Sequence, residues 1–86
     1  MKVRIPTPLR SYTAQQAVVD AGGATITELL DDLDRQFPGI RFRVVDEHGR
    51  LRTHMKVFLD QELVRDLTTP IGATTEVTIM QALSGG

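Results

Sequence analysis

Only one stretch of this 86-residue chain has the length and periodicity of an α-helix. Its apolar residues recur at the spacing of a single buried stripe: Ile26, Leu29, Leu30, Leu33 and Phe37. Thr25 can cap the first turn, and Glu28, three residues further on, completes a capping-box pattern. Pro38 disfavours helical geometry at the residue before it. The pattern therefore predicts one amphipathic helix that begins after Thr25 and ends before Pro38.

The segments on both sides of this helix show the polar–apolar alternation of β-strands. In the first of them, Val3 and Ile5 share one face, and Pro6 ends the segment because proline cannot donate to a sheet ladder. Strands are predicted at residues 2–5, 16–21, 55–59, 63–64 and 76–83, with a loop at 9–14 and a short helical turn or irregular crossing at 40–45.

One helix cannot cover both faces of a sheet of four or five strands, so it should pack across one face. The arrangement that does this at such a length is the β-grasp, the fold of ubiquitin. We therefore predict an α+β protein with a mixed four- to five-stranded sheet and one main helix on one face. Residues 1–83 are expected to form the domain, and residues 84–86 a flexible C-terminal diglycine tail.

The composition excludes several classes of function. The chain has no cysteine, which rules out disulfides, thiolate metal sites and cysteine nucleophiles. The net charge of -1 gives no reason to expect nucleic acid or a membrane as partner. The first six residues resemble neither a signal peptide nor a membrane anchor. We expect a cytoplasmic protein that is a monomer when free.

The polar side chains do not form a recognisable catalytic or metal site. His48 and His54 are interpreted as solvated loop histidines, since no carboxylate lies at a recognisable spacing. Asp31, Asp32 and Asp34 are interpreted as the solvated face of the helix, because their spacing is not that of a calcium loop. Arginines cluster after the helix, where they predict a solvated loop or, alternatively, a docking surface for an acidic protein: Arg41, Arg43, Arg50 and Arg52.

The C-terminus is the most informative part of the chain. Ser84-Gly85-Gly86 follows directly on the apolar strand predicted at residues 76–83. Because the last two residues lack a β-carbon, such a tail can thread a narrow channel that other residue types would not pass. Residues 82–86 span roughly 17 Å when fully extended. This length suffices to reach a buried active site on another protein.

Several segments resemble the MoaD/ThiS family of sulfur-carrier proteins. The resemblance rests on the β-grasp order, the Val57–Glu62 strand and turn, the Glu76–Ile79 strand and the terminal Ser84-Gly85-Gly86. The opening, Val3–Arg10, looks closest to the CysO branch of that family. The resemblance covers essentially the whole chain, and the diglycine is its one specific motif.

The resemblance implies a carrier rather than an enzyme. A partner activating enzyme would adenylate the carboxylate of Gly86 with ATP, and sulfur would then replace AMP to leave a thiocarboxylate. In this scheme Gly85, Ser84 and Leu83 thread the partner's active site, while the carrier binds no cofactor or metal. Sulfur would pass to an acceptor such as a cysteine synthase-like enzyme, with cysteine biosynthesis favoured and molybdopterin next.

Two other functions stay open at this point. The chain could be a ubiquitin-like modifier joined to lysines through Gly86, or a non-catalytic β-grasp interaction domain. Each of these functions requires a partner that binds the folded domain. Phe58 and Lys56 alternate with Val57, and Met80 alternates with Ile79, so these three side chains are predicted to form an exposed docking patch if the two strands are neighbours.

Overall fold

Residues 1–82 are the part of the chain that the computed structural model describes, and they form a mixed five-stranded sheet with a helix packed across it. The strands are β1 (Lys2–Arg4), β2 (Val18–Asp20), β3 (Met55–Leu59), β4 (Glu62–Val64) and β5 (Val77–Gln81), and the helices are α1 (Ile26–Gln36) and α2 (Ile40–Val44). The strand order is β2-β1-β5-β3-β4, in which β1 and β5 are parallel and the other neighbours antiparallel. The predicted β-grasp fold is confirmed.

The core lies between α1 and the inner face of the sheet. The predicted helical stripe is buried, with Ile26, Leu29 and Leu33 0% exposed and Leu30 1% exposed. Inward-facing strand residues meet it, also almost fully buried: Val3, Val57, Val77 and Ile79. Each such side chain contributes roughly 1.5–3 kcal/mol by leaving water. Because successive strand residues point to opposite faces, burial of this set leaves their neighbours on the outer face.

The ends of α1 follow the sequence signals. Thr25 Oγ1 accepts a hydrogen bond from the backbone N–H of Glu28 at 3.2 Å, as the capping pattern predicts. The Glu28 side chain accepts from the backbone N–H of Ala24 at 3.1 Å, one residue before the cap. At the other end, Phe37 N donates to Leu33 O, and the helix ends before Pro38.

The loop predicted at residues 9–14 is wrong over most of its length, because a 3₁₀ helix spans Thr7–Thr13. Pro8 fits the start of this helix, where a missing N–H costs nothing. Leu9 is 1% exposed and enters the core. Thr13 is buried as well, but it is polar, so the element has only one buried apolar side chain and shows no hydrophobic periodicity.

The segment after α1 is the short helix α2, which confirms the helical-turn alternative for residues 40–45. Asp34 organises its start, since one carboxylate oxygen accepts the N–H groups of Gly39 and Arg41, both at 3.0 Å. Gly39 has φ +98°, and a β-carbon there would lie 3.2 Å from the Tyr12 ring, so glycine is required. Asp34 is therefore a structural acceptor rather than only a solvated residue.

Candidate functional site

The predicted docking patch lies on the outer face of the sheet, on the side opposite α1. The register of β3 and β5 places Lys56 directly opposite Met80 and Phe58 opposite Thr78. Phe58 is thus a diagonal neighbour of Met80 on the same face. Met80 is 45% exposed, while Lys56 and Phe58 are half-buried. The structure brings the three side chains together; whether a partner binds them stays a prediction.

Leu63 extends this patch in a way that the sequence analysis missed. It lies opposite Phe58 on the edge strand β4 and is 45% exposed. Its neighbour Val64 packs against the core, so alternation within β4 puts Leu63 on the outer face. That alternation was the available signal, but it covers only three residues. We call Lys56, Phe58, Leu63 and Met80 the outer-face patch.

A groove borders the outer-face patch between the end of β5 and the segment that follows β1. Its volume is about 490 Å³, and its walls include Pro6, Pro8, Met80 and the stems of two arginines. Arg10 Nε donates to Ile5 O at 3.1 Å, which fixes one of these arginines against the backbone. The groove and the patch together give a partner an apolar surface with a basic border.

The last strand ends beside this surface. β5 lies between β1 and β3, and it ends at Gln81. Ala82 N then donates to His54 O at 2.7 Å, which holds the last described residue against the start of β3. The predicted attachment residue Gly86, and the predicted threading residues Leu83, Ser84 and Gly85, lie outside the described residues. The predicted boundary of the domain at residue 83 lies there as well.

The carboxylates with shifted pKa values serve the fold. The backbone N–H of Arg50 is the main cause of the lowered pKa of Asp46; desolvation opposes it, and the N–H of His48 makes a smaller contribution in the lowering direction. The N–H of Gly22 lowers the pKa of Asp32 in the same way. The side chain and backbone of Thr68 lower that of Asp66. Each carboxylate is held ionised by a turn or a loop rather than poised for proton transfer.

Residues 1–82 contain neither a cluster of potential metal ligands nor a helix that could span a membrane. Within residues 1–82, no group of three or more histidine, aspartate or glutamate residues is placed to hold a metal. His48 is exposed, with Nε2 3.6 Å from a Glu47 carboxylate oxygen, and His54 is exposed as well. None of the helices in that range is long and apolar enough to cross a membrane.

Comparisons with known proteins agree with this geometry. The model of the ThiS family matches residues 3–86. The sulfur carrier protein CysO of Mycobacterium tuberculosis is 36% identical over 89 aligned residues, which cover 98% of this chain and 96% of that protein. Among solved structures, CysO in the Amycolatopsis orientalis BexX/CysO complex has a TM-score of 0.92 at 35% identity, covering 99% of this chain and 98% of that one. SAMP1 of Haloferax volcanii has a TM-score of 0.77 at 26% identity, covering 99% and 97%.

Proposed function

The chain belongs to the ThiS family, and we propose that it is a sulfur carrier protein that works through the carboxylate of Gly86. The observation that carries this proposal is the extent of the similarity. The family match runs to residue 86 and so includes the terminal Ser84-Gly85-Gly86, and the similarity to CysO covers nearly the whole of both chains. Sulfur carriers are substrates of their partner enzymes, so the chain itself is not a catalyst.

The proposed chemistry begins with activation of an unreactive group. An α-carboxyl group has a pKa of about 3.5, so Gly86 is an anion at pH 7 and a poor electrophile. One carboxylate oxygen attacks the α-phosphorus of ATP on a partner enzyme, which releases pyrophosphate and leaves an acyl-adenylate. Hydrosulfide then attacks the acyl carbon, and AMP leaves. The product is a thiocarboxylate, which is anionic and nucleophilic for the reason that a thiolate is.

The fold suits a protein whose C-terminal residue is modified by partner enzymes. β5 is a central strand, so the chain reaches its C-terminus from the best-anchored part of the sheet. The outer-face patch and the groove beside it lie next to the end of β5, where a partner could bind them. The A. orientalis CysO was solved in a complex with BexX, which supports the expectation that carriers of this shape associate with partner proteins.

The similarity to CysO proteins favours cysteine biosynthesis as the destination of the sulfur, with a cysteine synthase-like enzyme as acceptor. The similarity to SAMP1 of H. volcanii leaves a ubiquitin-like modifier as a second candidate. Both functions begin with adenylation of Gly86. They differ in the next nucleophile, which is sulfide for a carrier and a lysine amine for a modifier.

The decisive experiment is the intact mass of the protein after incubation with its cognate adenylating enzyme, ATP and sulfide. We expect a species heavier by the exchange of one oxygen for one sulfur atom, localised to Gly86. Deletion of Gly86, or addition of one alanine after it, should abolish this species without affecting the fold. An unchanged mass under these conditions would contradict the carrier function. Adducts joined through Gly86 to lysines in the native host would instead support the modifier.

A further inference from the structure

A second hollow lies beside the end of β5, next to the point where Ala82 binds the start of β3. Its volume is about 260 Å³. The residues that line it form a set that we call the basic hollow: Phe42, Arg43, Arg52, His54, Met55 and Gln81. Three of them carry basic groups, and none of these described lining residues is acidic. A positive hollow is notable in a chain whose net charge is -1.

Arg52 is held in place before any partner arrives. Its Nε donates to Phe42 O at 2.8 Å, and its guanidinium carbon lies 4.8 Å from the centre of the Phe42 ring. The two terminal amino groups of this guanidinium form no hydrogen bond within residues 1–82. A guanidinium fixed in this way loses little conformational entropy when it binds a carboxylate with two parallel hydrogen bonds.

Arg43 supplies the second arginine charge of the hollow. Some arginines of the chain have carboxylate partners: Arg4 Nε lies 2.6 Å from Glu76 Oε1, and Arg41 Nε lies 3.0 Å from Asp31 Oδ1. Arg43 is exposed and forms no ion pair in the described part of the chain. Asp46 Oδ1 of the adjoining turn accepts two backbone N–H groups, and the nearby charge of Arg52 lowers the pKa of this carboxyl, so Arg52 is partly compensated while Arg43, in the described range, is not.

Phe42 adds an apolar surface to this charge. It is 54% exposed, more than any of the other large apolar side chains on the described surface. Exposed aromatic and arginine side chains together are the composition of a protein contact rather than of an ordinary solvated loop. The arrangement therefore fits a partner segment that carries both carboxylates and an apolar side chain.

The length of the remaining chain determines which part of a partner meets the hollow. Four residues follow Ala82, and fully extended they span at most about 14 Å. If the tail is inserted fully extended into a channel of the activating enzyme, with Gly86 at the inner end, the entrance of that channel lies near Ala82 and faces the basic hollow. The nucleotide at the base of that channel would lie about 14 Å away, too far for Arg43 or Arg52 to contact its phosphates.

We propose that the basic hollow binds an acidic segment at the mouth of the activating enzyme's channel, with carboxylates on Arg43 and Arg52 and an apolar side chain on Phe42. This inference rests on the proposed function and adds a second contact to the outer-face patch. The hollow orients the carrier as its terminus enters the channel. It acts through binding and takes no part in the reaction at Gly86.

The first test compares Arg43→Glu with Lys2→Glu in the adenylation assay. Both substitutions change the charge equally, but Lys2 is exposed at the start of β1, at the end of the sheet away from Gln81. We expect Arg43→Glu to raise the KM for the carrier by about tenfold at low salt while kcat stays unchanged. The difference should shrink as salt is added. An equal effect of Lys2→Glu, or a loss in kcat, would overturn the proposal.

A second test does not depend on turnover. The full-length protein is titrated with a synthetic peptide of alternating aspartate and leucine, and backbone amide shifts are followed by NMR. We expect binding in the millimolar range, with shifts confined to residues 42–43, 52–55 and 81, and loss of these shifts in Arg43→Glu. Shifts spread over all arginines, or none, would overturn the proposal, as would tighter binding of tripolyphosphate at the same site.

The two tests separate this inference from the proposed function. If the wild-type chain gains no sulfur but the peptide binds the hollow, the carrier function fails and the acidic-segment site stands. If the chain gains sulfur normally and the peptide does not bind, the carrier function stands and the site is wrong.

Discussion

At the residue scale, Gly23 sits where the chain turns from β2 into α1, and it has no room for a side chain. A β-carbon there would lie 2.5 Å from the backbone nitrogen of Leu29 and 2.8 Å from the carbonyl carbon of Glu28. Both atoms belong to the backbone of α1, so they cannot move aside as a flexible side chain could. At the adjacent Gly22, a β-carbon would meet nothing within 4 Å. The sequence shows two equivalent glycines, and only the structure distinguishes them.

This pair gives a matched prediction. Gly23→Ala should lower the free energy of unfolding by about 1–3 kcal/mol, because the first turn of α1 must shift away from the strand connection. Gly22→Ala should leave it unchanged or raise it by up to about 1 kcal/mol, because alanine restricts the unfolded chain. Urea unfolding with a constant slope measures both. Equal destabilisation by the two substitutions would show that the close approach at Gly23 is not the cause.

At the scale of the element, α1 depends on its first turn. Four N–H groups at a helix start have no partner within the helix, and Thr25 satisfies that of Glu28. The helix contributes four fully buried side chains to the core, so loss of order at its start affects the inner face of the sheet as well.

Removal of the cap should therefore be measurable. Thr25→Ala should lower the free energy of unfolding by about 1 kcal/mol, since Glu28 N loses its acceptor. Thr25→Ser keeps the oxygen and serves as the control, with a change of only a few tenths of a kcal/mol expected. Urea unfolding of the two variants, with amide hydrogen exchange in the first turn, gives the comparison. Identical behaviour of the two variants would mean that the hydroxyl contributes nothing.

Elements whose signals are local were predicted well from the sequence. The helix, its cap and the strands at β1, β3 and β5 were found because each has its own periodicity, capping residue or proline. The 3₁₀ helix at Thr7–Thr13 was missed because its one core residue, Leu9, gives no pattern. Likewise, the hydrogen bonds that tie Asp34 to the start of α2 depend on where two helices meet, which no single segment specifies.

At the scale of the whole molecule, the outer-face patch joins residues from three strands. Alternation within each strand is a local signal, so it correctly predicted one shared face for Lys56, Phe58 and Met80. That the three side chains are neighbours depends on the pairing of β3 with β5, which alternation does not specify. Leu63 and the contact between Phe42 and Arg52 were not predicted, since each depends on register or on the path of a loop. The tail residues were identified from their position after the last strand and from the family resemblance, and they lie outside the described residues.

The patch yields a prediction about partner binding. Met80→Asp should lower the free energy of unfolding by about 1 kcal/mol or less, because the side chain is 45% exposed but aspartate is disfavoured in a strand. It should raise the KM for the carrier in the adenylation assay by about tenfold, the effect of losing one central apolar contact. Val18→Asp is the control, since Val18 is 39% exposed on the far edge strand β2. Equal effects of the two substitutions would contradict a patch centred on Met80.

The parallel pairing of β1 with β5 also gives the molecule a mechanical character. A force applied to the two chain ends pulls these adjacent strands in opposite directions along their length, so the hydrogen bonds between them bear the load together rather than opening one after another. A force applied to the C-terminus acts on β5, which is hydrogen-bonded to β1 on one side and to β3 on the other. The folded domain is therefore expected to resist tension between its two ends better than a force that opens the same hydrogen bonds one at a time.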